Sequence, residues 1–169
     1  MKRLLYWLLP IGWMGLIFYS SSTPYQEQDI KPMLGSYIDF SFFKPVLNWI
    51  NFTYNNSTVS IEELGVEGLI EFFIRKGAHF TVFFILLLFF YIAFRKTTQF
   101  KMGTVIFFSL FMTIAYAIID ELHQGITPNR TPYIGDIFID SIGAVFAVLI
   151  IIIFHRWRQN TIKSDKFVK

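Results

Sequence analysis

The stretch Tyr116 to Gly125, YAIIDELHQG, sets Asp120, Glu121, His123 and Gln124 within five positions at the end of an apolar run. Arg75, Lys76 and His79 cluster earlier in the chain, and Arg130, Asp136 and Asp140 follow closely behind. Arg75 and His79 are four apart, as are Asp120 and Gln124, and Asp136 and Asp140, so on helices each pair shares one face. These residue types can hold and modify an anion. Arg75, Lys76 and Arg130 are natural contacts for a phosphate or carboxylate, with arginine suited to two-point contact. Gln124, Asp136 and Asp140 complete a headgroup-binding set. His79 can transfer a proton, with Asp120 orienting its ring or Glu121 acting as base. Three cations against four carboxylates is near balance, which permits mutual pairing and leaves room for a proton or a cation. No nucleophile stands out, because Ser141 has no base beside it in sequence and reads as a small packing residue.

The elements that position these groups belong to a membrane. Of the 169 residues, 54% are hydrophobic and 20% aromatic, too apolar for a soluble domain of this length. Four apolar runs predict spanning helices at about 4–20, 72–94, 104–124 and 136–156, all within one domain covering 1–169. The fold class is all-α: a four-span bundle with an outer interfacial helical segment between spans 1 and 2. That segment includes FSFFKPVLNWINFTY, whose mix of aromatic and scattered polar residues suits an interfacial or reentrant piece. Ser60-Ile-Glu-Glu63 reads as a capping box that starts a helix leading into the second span. Pro10 predicts a kink in the first span. Asn51, Asn55 and Asn56 fit the short glycosylation pattern. The absence of cysteine excludes disulfides, thiol catalysis and cysteine-ligated metals.

With both termini cytoplasmic, ten of the fifteen basic residues lie inside, as the positive-inside rule requires. His79 is then sixteen residues from Arg95, Asp120 seventeen from Gly103 and Asp140 sixteen from Arg156. At about 1.5 Å per residue, all three sit roughly 24–26 Å from the inner boundary, near the outer edge of a core about 30 Å thick. Three helices thus bring polar groups to one level. Basic RQNTIKSDKFVK at the C-terminus reads as a solvated end attracted to anionic lipid, so no nucleic-acid partner is expected.

RKGAHF at 75–80, DELHQ at 120–124, Arg130, DIFIDSIGA at 136–144 and FYSSSTPYQEQ at the end of the first span together resemble the VanZ-like family of bacterial integral membrane proteins. The resemblance covers nearly the whole chain. Asp140 departs from it, standing where the pattern usually has Asn and adding a negative charge. The resemblance implies a small multi-pass protein of the bacterial cell membrane with a role in the cell envelope. Through the family's namesake it also implies a link to resistance against teicoplanin, a lipid-tailed glycopeptide.

Several roles remain open to this cluster. It could bind or modify a lipid or lipid-linked envelope precursor at the outer face, lowering sensitivity to lipophilic glycopeptides such as teicoplanin. It could instead be a structural network that only holds the helices together, an expensive use of so many ionisable groups within a membrane. No cofactor is expected. A divalent metal on His79 with Asp120, Glu121 or Asp136 is an alternative, although no H-E-x-x-H pattern occurs and no residue is assigned as a metal ligand. Ion or proton translocation lacks a visible path, because the inner half of the spans is apolar. Protein partners are not specified by the sequence.

Overall fold

The computed structural model describes residues 2–32 and 40–167. Part of the outer segment (33–39) and the end of the basic tail (168–169) lie outside the described residues. The chain begins as a 3₁₀ helix, Lys2–Trp7, and continues as α1, Leu8–Ser21. Pro10 was expected to kink the first span. It falls instead in the first turn of α1, where its missing N–H is not needed, and the irregularity appears as a change of helix type before it. Among its described residues the outer segment holds 3₁₀ turns at Tyr25–Gln28 and Phe40–Phe43 and a one-turn helix, α2, Lys44–Leu47. Phe42, Val46 and Trp49 are exposed there.

The outer segment also contains a hairpin that the sequence did not lead us to expect. Strands β1, Asn51–Tyr54, and β2, Ser57–Ser60, pair antiparallel, with Phe52 opposite Val59 and Tyr54 opposite Ser57. Asn55 and Asn56 make the two-residue turn at φ 48° and 60°, positive values that asparagine tolerates better than most residues. The hairpin feeds α3, Ile61–Thr97. Its Ser60 side chain accepts the Glu63 N–H at 3.3 Å, which is half of the expected capping box. The helix is interrupted once, at Gly65, whose φ of 70° is a conformation suited to glycine.

Helices α4, Met102–Gln124, and α5, Ile134–Phe167, complete the set. Four helices are long and apolar enough to cross a membrane. The protein is an all-α, four-span bundle, with α3 packed against the other three spans. Phe83, Leu86 and Phe90 of α3 meet Ile17, Tyr116 and Ala117, while Leu87 packs on Ala144, Ala147 and Ile151. α5 approaches α3 so closely at Gly143 that any Cβ there would collide with the Phe80 carbonyl oxygen. Such small-residue contacts are how helices associate where lipid removes the hydrophobic drive. The first span is fastened by Trp13 Nε1, which donates to the Val82 carbonyl at 2.9 Å, and by Tyr116 Oη, which donates to the Met14 carbonyl at 2.6 Å. Ser109 and Thr113, buried halfway along α4, satisfy their hydroxyls on carbonyls four residues back.

Candidate functional site

Because successive spans run antiparallel, the end of α1, the first part of α3, the end of α4 and the start of α5 meet at one end of the bundle. The polar residues gather there in three groups. The first lies between α3 and α5. Lys76 Nζ pairs with Asp136 at 2.5 Å, and His79 Nδ1 lies 3.2 Å from Asp140 Oδ1. The spacing of the partners, three residues on α3 and four on α5, makes these two successive rungs along one helix contact, with Gly143 against Phe80 as the next. Tyr54 of the hairpin donates to Asp136 at 2.5 Å, and its ring lies 4.5 Å from the Lys76 ammonium. Burial pushes the Tyr54 phenol well above its ordinary pKa, and the bond to Asp136 adds to the shift.

The second group joins α4 to the chain leaving α1. Asp120 accepts from Ser21 Oγ at 2.5 Å and from Gln124 Nε2 at 2.9 Å. Gln124 in turn accepts from Arg130 Nη1 at 2.9 Å. Arg130 also donates through Nη2 to Gln28 Oε1 at 2.5 Å and through Nε to the Thr23 carbonyl at 3.2 Å. Among the described residues no carboxylate lies within ion-pair distance of Arg130. Burial holds its pKa below the ordinary arginine value, and the neighbouring Arg75 guanidinium pushes the same way. The third group is Glu71, buried on α3, with Arg75 Nη1 at 3.5 Å and Lys31 Nζ at 4.0 Å.

Two cavities open among these groups. One, about 290 Å³, lies between α1 and α3. Its walls are apolar on the side of Trp13, Ile17, Val82 and Phe83 and polar at Asp120 and Ser21. The other, about 310 Å³, lies under the hairpin and is lined by Tyr54, Glu71, Lys76 and Asp136 among others. Arg75, His79, Gln124 and Arg130 line both, so this row of four side chains stands between an apolar compartment and a polar one.

The sequence-derived candidates are distributed unequally over this geometry. Arg75, Lys76, His79, Asp120, Gln124, Arg130 and Asp136 each line at least one cavity. Glu121 lines neither. Its Oε1 accepts the Tyr133 N–H at 2.5 Å, next to the start of α5, while its Oε2 is buried without a partner. A carboxylate there satisfies an otherwise unpaired amide at a helix N-terminus, which is a scaffolding task. Asp120 was expected to orient His79, but its acceptors are occupied by Ser21 and Gln124, and Asp140 holds the ring instead. His123 stacks on Phe18 with ring centres 4.1 Å apart, away from the row. Among the described residues, no three of His, Asp and Glu converge as a metal-ligand set.

Several participants were missed from sequence. Glu71 sits four residues before Arg75, and the same spacing rule that paired the other residues would have found it. Ser21 and Gln28 lie within FYSSSTPYQEQ but had no spacing to mark them. Tyr54 reaches Asp136 only through the hairpin and leaves no local trace. A family model described as VanZ/LLP1 matches residues 6–155. No curated protein and no solved structure matches the chain.

Proposed function

Since the chain belongs to the VanZ/LLP1 family and is a multi-pass membrane protein, we propose that its polar end binds the anionic headgroup of a lipid or lipid-linked envelope molecule. The protein would lie in the bacterial cell membrane with both termini cytoplasmic, so that this end faces outward. One observation carries the reading: the apolar and polar cavities share Arg75, His79, Gln124 and Arg130 as their common wall. An amphiphile needs that juxtaposition. Its chain would lie between α1 and α3, and its charged group would reach the guanidinium of Arg130. Arginine is the side chain best matched to phosphate or carboxylate oxygens. A protein that holds or alters such molecules at the outer face would change what a lipophilic glycopeptide such as teicoplanin meets there.

The test is native mass spectrometry of the purified protein beside Arg130→Ala, with teicoplanin sensitivity of the cells scored in parallel. Anionic lipid should copurify with the wild type and be lost from the variant at unchanged membrane abundance. A variant that retains its lipid in full would sink the proposal.

A second reading has its own support. The bonds of Arg130 to Thr23 and Gln28 and the Ser21–Asp120 bond join the chain leaving α1 to α4 and the loop after it, and the Arg130–Gln124 bond ties that loop to α4. Such a latch could hold the bundle closed and do nothing more. In that case Arg130→Ala and Asp120→Asn would lower thermal stability together, and the wild type would carry no bound lipid to lose.

A further inference from the structure

We propose that His79 and Asp140 form a proton-transfer pair with which this site hydrolyses the phosphate monoester of a long-chain lipid. The inference rests on the headgroup-binding reading above and names the substrate class and the reaction. Its basis is the pairing of His79 with Asp140, which the binding reading does not use.

Asp140 is 1% exposed and lines neither cavity. Its Oδ1 faces His79 Nδ1 at 3.2 Å, and its Oδ2 is buried with no partner. A buried carboxylate is costly unless a donor satisfies it, and His79 is the donor that the described residues supply. The pairing therefore keeps a proton on Nδ1 and leaves the lone pair of neutral imidazole on Nε2. His79 is 21% exposed, lines both cavities, and makes no hydrogen bond through Nε2 among the described residues. An oriented imidazole with an unoccupied basic nitrogen, on a side chain that lines both cavities, is the arrangement a general base needs. Asp140 acts only through the ring, so it is a positioning residue. Asp120 and Glu121 are engaged with other partners. The first is occupied by Ser21 and Gln124, and the second lies outside both cavities.

The charge around the row selects the chemistry. Arg75 and Arg130 border the same two cavities as His79, and Lys76 borders the polar one. Arg75 is paired with Glu71 and Lys76 with Asp136, so of these three cations Arg130 is the one placed to meet a phosphate, and its fixed guanidinium stabilises charge gathering on the phosphate oxygens as it reacts. In the step, Nε2 of His79 takes a proton from water while the water oxygen bonds to phosphorus. The bond from phosphorus to the lipid oxygen breaks on the opposite side, that oxygen takes a proton from water, and the imidazolium returns its proton to the hydroxide so left. Water and the monoester become inorganic phosphate and a lipid alcohol, with no change of oxidation state.

The experiment uses the full chain in phosphatidylcholine vesicles containing either phosphatidic acid or a polyisoprenyl phosphate, two sources of the same monoester. Phosphate release is measured for the wild type, His79→Gln and Asp140→Asn, with lipid binding and Tm measured on each. The wild type should release phosphate from at least one lipid, and the more active arm identifies the source. His79→Gln should lose about 10²–10⁴-fold in rate while still binding lipid. Asp140→Asn, which nearly preserves shape, should lower kcat with little change in KM. Binding without release by the wild type would overturn the hydrolysis and leave the binding site standing. An absence of binding by the wild type would remove both. Release by His79→Gln at the wild-type rate would show that the imidazole is not the base.

Discussion

Arg130 donates to two amide oxygens and a backbone carbonyl, all neutral. Its orientation is therefore fixed, while among the described residues no carboxylate sits at ion-pair distance from its charge. Burial and Arg75 both work against that charge, so an arriving anion would relieve two penalties at once. Arg130→Lys keeps the charge but cannot reproduce the three-way fork. We expect it to retain anionic lipid about tenfold less well than the wild type, read as the lipid-bound fraction in native mass spectrometry. Tyr54 offers a separate test. Its folded pKa is raised, so the proton it keeps contributes stability below the unfolded value of about 10 and loses that contribution as pH rises beyond it. Tm should therefore fall above about pH 10 by more in the wild type than in Tyr54→Phe, as thermal melts across that range would show. That these residues gather at one end of the bundle was largely legible from type and spacing, but which residue pairs with which was not. Asp140 and Asp120 are at similar depth, and only the rotation of α5 against α3 decides that Asp140 meets His79.

The contact between α3 and α5 sets that rotation, and its tightest point is Gly143 against the Phe80 backbone. Gly143→Ala should force the helices apart at a cost of about 1–3 kcal/mol, seen as a lower Tm, because backbone cannot yield as a flexible side chain can. The same separation would stretch the two rungs above it, so a loss of lipid binding should accompany the loss of stability. The spans themselves were legible because long apolar runs bounded by arginine and lysine have few other uses. The capping box at Ser60 was legible for the same reason, being a local pattern with a local cause. The hairpin was not. Asn55-Asn56 between NFTY and STVS is a turn signal, but it lacks the glycine that makes such signals strong, and its two strands are only four residues each. What holds the hairpin in place is contact between distant residues: Tyr54 packs on Phe72 and Tyr133 at 5.3 and 4.7 Å between ring centres.

For the molecule as a whole, the convergence of polar residues at one end was legible from counting along helices, whereas the two cavities were not. Cavity shape depends on how α1 leans on α3, a tertiary property with no periodic signature. Orientation can be tested directly, because the chain has no cysteine to give background labelling. A single cysteine at the exposed loop position of Asn129 should react with an impermeant maleimide in intact cells, and one at Gln99 only after permeabilisation. The opposite pattern would turn the site inward and end the envelope reading. One feature of the bundle constrains its energetics. Below the polar row, α3 presents Phe83, Leu86, Leu87, Phe90 and Ala93, each at most 2% exposed, and the buried hydroxyls of Ser109 and Thr113 are bonded within their own helix. No buried charged group continues from the row toward the other end among the described residues. With that end facing outward, as proposed, the site would be insulated from cytoplasmic ATP, and no line of buried charged groups among the described residues would connect it to the other face. On the proposed reading, a reaction there would run downhill on the free energy of the lipid, and an uncoupler should leave its rate unchanged.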